Sequence, residues 1–449
     1  MVTQVKELQL RSFRGIDCLD LKLHPKVSVF LGVNGVGKST ILDALSILFS
    51  RIVALSQIPY QVAWKDNDVS RRSFQGSMLN SLYAQKQENP KVRRIIDTDL
   101  SNDSQSSSMS LNFLFNSCNL KWSDQRIRDF PIQVIPDEWD QLGNFVANLQ
   151  ANLLGNPRLN IPLIAYYSTN RVVTDIPLEI PGNPYMSQLD SYDGISGKTN
   201  AGFPEFFRWF RIVEDFENES RRDRSNYRDQ QLSAVRKALP NFLEGFLDLR
   251  VRRSPTLRMT VTKGDRELLV NQLSDGEKCL LAMVGDIARR LSIANPGLDD
   301  PLQGEGVILI DELELHLHPN WQRGIIPKLT ETFPNCQFIL ATHSPQIISD
   351  VQPESIFILK STDSGVIVEH PDHSFGRDSN QILEDLMGVP DRPEAIKIAL
   401  QDLFELIENG KLEEAKQVRN DLADLMRGWE DPDLTKANVL IRRREILGR

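Results

Sequence analysis

Three stretches, far apart in the chain, carry residues that could handle phosphate. The first is "FLGVNGVGKST", residues 30–40. Its glycines let the backbone amides of Asn34, Gly35, Val36 and Gly37 turn inward onto an anion. Lys38 can reach the terminal phosphates, and Ser39 can ligate a divalent metal. Thr40 sits in the first turn of a helix whose positive end faces the anion. The second stretch is "VILIDELE", which places Asp311 and Glu312 after four apolar residues. Asp311 is placed to hold Mg2+, and Glu312 to orient or deprotonate an attacking water. "ATHSP" follows, where His343 can donate to, or sense, a terminal phosphate.

The third stretch, "NQLSDGEKCLL", puts Ser274 and Gly276 at the start of an apolar helical pattern. That geometry also binds phosphate. An ordinary helix N-cap accounts for Ser274 equally well. If the stretch bound the same nucleotide as its own Lys38, the two cradles would compete for one space. Two chains arranged head to tail, each supplying Ser274 and Gly276 to the other's glycine loop, remove the conflict. His316 and His318, with Glu314, could ligate metal. The expectation favours plain turn residues there, and the same holds for His370 and His373.

These residues need a sheet to hold them. "TQVKELQL" and "LDLKL" alternate as half-buried strands do, and "KVSVFLG" reads as a buried strand feeding the glycine loop. "TILDALSILFSRIV" is helical, so the strand–loop–helix setting of a phosphate loop is complete. "SLNFLF", "PLIAYYS", "GVILIDE" and "CQFILATHS" are further strands. In doubly wound sheets, ligands bind at the C-terminal strand ends, where Asp311 and Glu312 fall. Residues 97–110, polar and Ser-rich, read as an exposed loop, and residues 181–202 as a second long loop.

The predicted organisation is an α/β nucleotide-binding head in two parts, residues 1–199 and 246–374. Residues 200–245 are an inserted helical arm, and residues 375–449 a helical tail for docking or assembly. In the tail, Ile396, Ala399, Leu400, Leu403 and Leu406 form one apolar stripe. Leu412, Ala415, Val418, Leu422 and Leu425 form another. The two can pair as a hairpin, with Arg442, Arg443 and Arg444 beyond them.

Composition sets the remaining bounds. The chain has 449 residues, with 40% hydrophobic and 25% charged, as expected of a globular protein. A net charge of −9 argues against a uniform polyanion-binding surface. Local basic groups stay open as DNA contacts: Arg221, Arg222, Arg224 and Arg228 on the arm, and Arg250, Arg252 and Arg253 after it. Cys18, Cys118, Cys279 and Cys336 lack metal-type spacing and suggest no disulfide framework. The first residues carry no signal pattern, and no apolar run is read as approaching a membrane span. A cytoplasmic protein without a membrane partner is expected. No nucleophile or two-metal carboxylate cluster stands outside the phosphate site, so no nuclease activity is expected of the chain itself.

Taken together, the motifs resemble the ABC-type ATPase heads of the SMC, RecF and OLD groups. "LQLRSFRGIDCLDLKL" looks like their N-terminal hairpin, "LSDGEK" like their signature motif, "VILIDELELHLHP" like their Walker B strand and loop, and "ATHSP" like their switch histidine. The resemblance implies ATP and Mg2+ as cofactors, ATP hydrolysis, Arg14 near the nucleotide, and Ser274 and Gly276 acting across a homodimer or larger homo-oligomer. It does not extend to a Q-loop glutamine: "LIAYYSTNR" stands there, with Ser168, Thr169 and Asn170 as substitutes.

Within these groups, "FFRWFRIVEDFENESRRDR", "LHLHPNWQ" and the tail ending "IRRRE" resemble the PtuA-type ATPases of Septu anti-phage systems and of some retrons. That likeness implies a separately encoded HNH nuclease (PtuB-like) as partner; DNA stays open as a further one through the basic groups above. The competing reading is a RecF-like DNA-repair ATPase acting without a nuclease. An ABC importer subunit fits the hairpin, arm and tail poorly.

Overall fold

The alternating strands β1 (Gln4–Phe13) and β2 (Ile16–Lys22) pair antiparallel, with Leu10 opposite Leu19, and turn at Arg14 and Gly15. The computed structural model describes residues 3–56, 93, 95–101, 104–116, 118–128, 136–169, 187–195, 203–363, 365–427 and 431–447. Contacts divide the chain into two units, Met1–Arg377 and Asp378–Arg449.

In the first unit, β3 (Val27–Leu31) leads into the glycine loop. Strands β4 (Ser106–Phe115) and β5 (Cys118–Ile127) complete an antiparallel sheet of order β2-β1-β4-β5. The serines of 106–110 are therefore not loop, as their polarity suggested. They are the first half of β4, alternating in and out, with Ser107 and Met109 buried. A polar residue on the solvent face of a half-buried strand carries no loop information. Of residues 181–202, only 187–195 are described, and Gln188–Tyr192 forms a short 3-10 turn there.

The second sheet has order β13-β12-β3-β11-β10-β6. Besides β3, its members are β6 (Leu163–Tyr167), β10 (Gly306–Ile310), β11 (Cys336–Ala341), β12 (Ile356–Thr362) and the antiparallel edge strand β13 (Gly365–Glu369). The other five run parallel. Every residue of β3, β6, β10 and β11 is buried, which is why they read as unbroken apolar runs rather than alternation. A third, antiparallel sheet holds β7 (Phe246–Arg252), β8 (Arg258–Lys263) and β9 (Arg266–Leu269).

The phosphate-loop helix, Lys38–Ser56, lies between the antiparallel sheet and one face of the parallel sheet. Leu45, Phe49 and Ile52 share one apolar cluster with Leu10, Phe113 and Trp122 on one side and Ile164, Leu309 and Ile339 on the other. The helix is long and apolar enough to cross a membrane by length and composition, which corrects the expectation that no run approaches that size. It is a core helix, almost wholly buried. Arg51 on it forms a buried ion pair with Asp124 of β5.

Residues 200–245 contain two helices, Phe203–Asp223 and Gln230–Phe242. They belong to the first unit's packing: Phe206, Phe207, Trp209 and Phe210 are fully buried, and Phe206 lies against Gly285 of the helix Asp275–Ala294.

The second unit holds the helices Glu394–Glu408, Leu412–Met426 and Pro432–Leu447 around one core. Leu400, Leu403, Ala415 and Leu422 of the two expected stripes are in it, whereas Leu425 is exposed. The third helix, which the stripes did not announce, adds Leu434, Ala437 and Ile441. Arg442, Arg443 and Arg444, beyond both stripes, lie on that helix.

Candidate functional site

The phosphate loop, the acidic strand end and the histidine sit on neighbouring strands. In the order β3-β11-β10, the loop after β3, His343 after β11, and Asp311 and Glu312 after β10 all leave the same edge of a parallel sheet. Gly35 (φ +81°) and Gly37 (φ +117°) take left-handed backbone that other residues rarely adopt, and so curl the loop. Lys38 Nζ donates back to the carbonyls of Gly32 (2.8 Å) and Val33 (3.0 Å). Burial lowers the Lys38 pKa, and the charges of Asp311, Glu314 and Glu312 partly oppose this. The three carboxylates are therefore near enough to act on the lysine. Ser39 and Thr40 lie in the first turn of the phosphate-loop helix.

Asp311 is buried, and its amide donates to Tyr167 O at 2.9 Å. Glu312 sits in the left-handed region (φ +46°), as does His316 (φ +64°), so the acidic strand ends in a bent, strained loop. Burial, and then the charge of Lys38, holds the His343 pKa below its ordinary value, with Glu314 and Glu312 opposing.

Glu314, weighed in sequence only as a metal ligand, turns out to organise this edge. Its carboxylate accepts from Thr342 Oγ1 (2.6 Å) and from the His343 amide (2.5 Å). The acid two positions past Glu312 was the available signal. His318 Nδ1 accepts from the Asn320 amide, as a helix cap does, and His370 Nδ1 pairs with Ile356 O. Among the described residues, no group of three or more His, Cys, Asp or Glu side chains could hold a metal by themselves.

Arg14 is placed by the β1–β2 turn. Ile16 of this hairpin lies against Gly37 of the phosphate loop. The Arg14 side chain bonds Asp43 (2.7 Å) and Asp99 (2.9 Å). Asp43, on the phosphate-loop helix, also receives Arg93 (2.6 and 2.8 Å) and Tyr166 (3.1 Å). Burial alone would raise the Asp43 pKa, but Arg93 and Arg14 outweigh it and hold the carboxyl below its usual range. Sequence reasoning passed over Asp43, although a lone acid in "TILDALSILF" signals a buried partner.

Ser274 caps the helix Asp275–Ala294. Its Oγ accepts from the Glu277 amide, while Glu277 accepts from the Ser274 amide (2.9 Å) and Oγ (2.8 Å), closing a capping box. Lys263 bonds Glu277 at 2.6 Å. A side chain on Gly276 would fall 2.6 Å from His316 O and 3.1 Å from Trp321, so the helix start rests directly on the loop that follows Glu312.

This helix and the phosphate-loop helix occupy opposite faces of the parallel sheet. Tyr166 and Ile164 of β6 point into the cluster around the phosphate-loop helix, while Tyr167 bonds Asp286 of the other helix at 3.0 Å. Of the proposed Q-loop substitutes, Ser168 and Thr169 follow β6 at the catalytic edge; Asn170 lies outside the described residues.

A phosphate loop, an acidic strand end and a histidine on adjacent parallel strands, with the Ser274-capped helix start resting on the loop after the acidic strand, define a P-loop ATPase head of the ABC type. Comparison with known proteins gives the family. The family described as "AAA domain, putative AbiEii toxin, Type IV TA system" matches residues 27–349, and the chain belongs to it as a PtuA-like ATPase. The chain is 30% identical to the "Retron Vc95 probable ATPase" of Vibrio cholerae serotype O1 biovar El Tor, over 79% of this chain and 73% of that one. It is 28% identical to the "Retron Ec83 probable ATPase" of Escherichia coli (98% and 87%) and 25% identical to the "Septu protein PtuA" of Bacillus thuringiensis (86% and 84%). Among solved structures, an SMC head bound to the C-winged helix domain of ScpA aligns at a TM-score of 0.44 and 14% identity, over 82% of this chain and 98% of that one.

Proposed function

We propose that the chain is the ATP-binding and ATP-hydrolysing subunit of an anti-phage defence complex, and that it works as a head-to-tail homodimer controlling a separately encoded HNH nuclease. The observation that carries the dimer is the placement of the phosphate-loop helix and the Ser274 helix on opposite faces of one sheet. A second chain brings Ser274 and Gly276 to the first chain's loop without competition for space.

The residues fit ATP and Mg2+. The loop curls at Gly35 and Gly37, and Lys38 is buried beside three carboxylates. The loop amides of Asn34 to Thr40 and Lys38 would hold the phosphates; Ser39 and Asp311 would hold the metal, which neutralises phosphate charge when bound. Glu312 orients and deprotonates the water, and His343 is kept largely neutral, able to donate one hydrogen bond. The defence role is supported by the likeness to the retron and Septu relatives; the nuclease partner rests on the motif resemblance alone. For DNA contact, Arg222, Arg224 and Arg228 are exposed, whereas Arg250, Arg252 and Arg253 are each paired with a carboxylate.

The test is turnover and assembly together. Glu312→Gln slows hydrolysis by about 10²- to 10⁴-fold and retains an ATP-bound dimer. Lys38→Ala loses tight nucleotide binding. Light scattering and nucleotide binding read both. Unchanged hydrolysis and assembly in Ser274→Arg sinks the dimer reading. Co-expression with an HNH nuclease, followed by affinity capture, tests the partner.

A further inference from the structure

Strand β6 ends in two consecutive tyrosines that point to opposite faces of the parallel sheet. Each phenol donates to an aspartate on the helix covering its face. Tyr166 Oη donates to Asp43 Oδ1 (3.1 Å) on the phosphate-loop helix, and Tyr167 Oη donates to Asp286 Oδ2 (3.0 Å) on the Ser274 helix. Both aspartates are anchored independently of the tyrosines. Asp43 receives Arg14 and Arg93, and Asp286 receives Arg289 (2.6 Å) and Arg290 (2.6 Å). Arg290 extends the network to the carbonyl of Ser191 (3.0 Å). The backbone of the same strand end is tied to the site, because Tyr167 O accepts from the Asp311 amide at 2.9 Å. Ser168 and Thr169 follow directly. Burial raises both phenol pKa values, so both remain hydrogen-bond donors at any working pH.

We propose that Tyr166 and Tyr167 are positioning residues that couple the chain's own phosphate site to the Ser274 helix it offers its partner. The end of β6 is the one described segment shown to bond the phosphate-loop helix, the Asp311 strand end and the Ser274 helix at once. A shift at Asp311 or along the phosphate-loop helix passes through two hydrogen bonds, one part-buried and one buried, to the helix whose start caps the other chain's nucleotide. Buried hydrogen-bond chains have discrete arrangements rather than a continuum, and so they transmit small displacements.

This rests on the dimer reading above, and the experiment separates the two. Tyr166→Phe and Tyr167→Phe each remove one hydroxyl and leave the aspartate on its arginines. Each is made in the full-length Glu312→Gln chain, and ATP-dependent dimerisation is measured by light scattering over protein concentration. Either change should weaken the ATP-bound dimer by about 5-fold or more. ATP affinity of the single chain, read with each change in the Ser274→Arg background, should stay unchanged. Tyr192→Phe is the structural control: its buried hydroxyl bonds Pro162 O at 2.9 Å, away from both helices' aspartates. It should leave dimerisation unchanged. If the Glu312→Gln parent itself does not dimerise with ATP, the dimer reading falls and takes the coupling with it. If the parent dimerises and both tyrosine variants match it, or Tyr192→Phe weakens it equally, the coupling is overturned while the dimer stands.

Discussion

Glu314 and His343 are joined through the main chain: the carboxylate accepts the histidine's own amide at 2.5 Å, and Thr342 Oγ1 at 2.6 Å with its other oxygen. The bond fixes where the β11 end leaves the sheet, and so where the imidazole stands relative to Lys38 and Glu312. Glu314→Ala leaves the His343 amide and the hydrogen of the buried Thr342 hydroxyl without their acceptor, while Thr342 Oγ1 still accepts from the Ser344 amide (3.0 Å), at a cost of about 1–3 kcal/mol. Misplacing the histidine should also lower turnover by about 10²-fold with nucleotide affinity retained. Glu314→Gln keeps an acceptor oxygen and should recover part of the rate. Steady-state hydrolysis beside a nucleotide titration checks the split.

His343 should titrate below the ordinary histidine range, because burial and the Lys38 charge disfavour its protonated form. The sign follows from the lowered value. The folded state binds this proton less readily than the unfolded chain does. The histidine's contribution to stability is therefore complete above the unfolded value and is lost as pH falls below it towards the folded one. Replacing Lys38 with Met removes the second cause and should move the titration back upwards. Histidine ring NMR shifts followed over pH read it directly, and an unmoved His343 signal in Lys38→Met would refute the charge contribution.

The Arg51–Asp124 pair joins the phosphate-loop helix to β5 with side chains only 1% and 2% exposed. Removing Asp124 takes the opposing carboxylate from a buried guanidinium, so Asp124→Ala should cost about 3–5 kcal/mol. Replacing both with apolar residues of similar volume should cost far less. Denaturant unfolding of the three chains decides it, the prediction being that the double variant is more stable than Asp124→Ala.

In the tail, removing residues 430–449 would strip Leu434, Ala437 and Ile441 from the three-helix core and confuse docking with unfolding. Charge reversal at the exposed Arg442 and Arg443 is the cleaner change. It should spare ATP binding and thermal stability yet weaken nuclease capture. Leu403→Ala, at a fully buried core position, should instead loosen the tail by about 2–5 kcal/mol. Hydrogen exchange confined to residues 394–447 separates the two effects. Full capture by the Arg442/Arg443 variant would move the search for the dock to residues 200–245.

The parallel strands were readable because burial on both faces writes itself as an unbroken apolar run, as in "VILI" and "QFILA". The phosphate loop was readable because glycine spacing and Lys38 have few other uses. Ser106–Ser110 misled because the first half of an interior, half-buried strand can be serine without ceasing to be a strand. The third tail helix was hidden because its contribution is small, Leu434, Ala437 and Ile441 among charged neighbours. Asp43, Asp286 and the two tyrosines were hidden for a different reason. Their roles are pairings between residues 119 to 123 positions apart, which no local pattern can encode. Glu314 stood in plain view, but the partner that explains it is the backbone of His343.

The tail's private core also bears on how such chains can diverge. Leu400, Leu403, Ala415, Leu422, Leu434 and Ile441 satisfy one another within some forty positions of sequence. A change among them is answered by another among them, with no adjustment required of the sheet that holds the nucleotide. The outward faces of those helices can therefore drift, or be traded as a block, at a pace the phosphate edge could not survive. The two units can thus vary as separate trials, each answering to its own core.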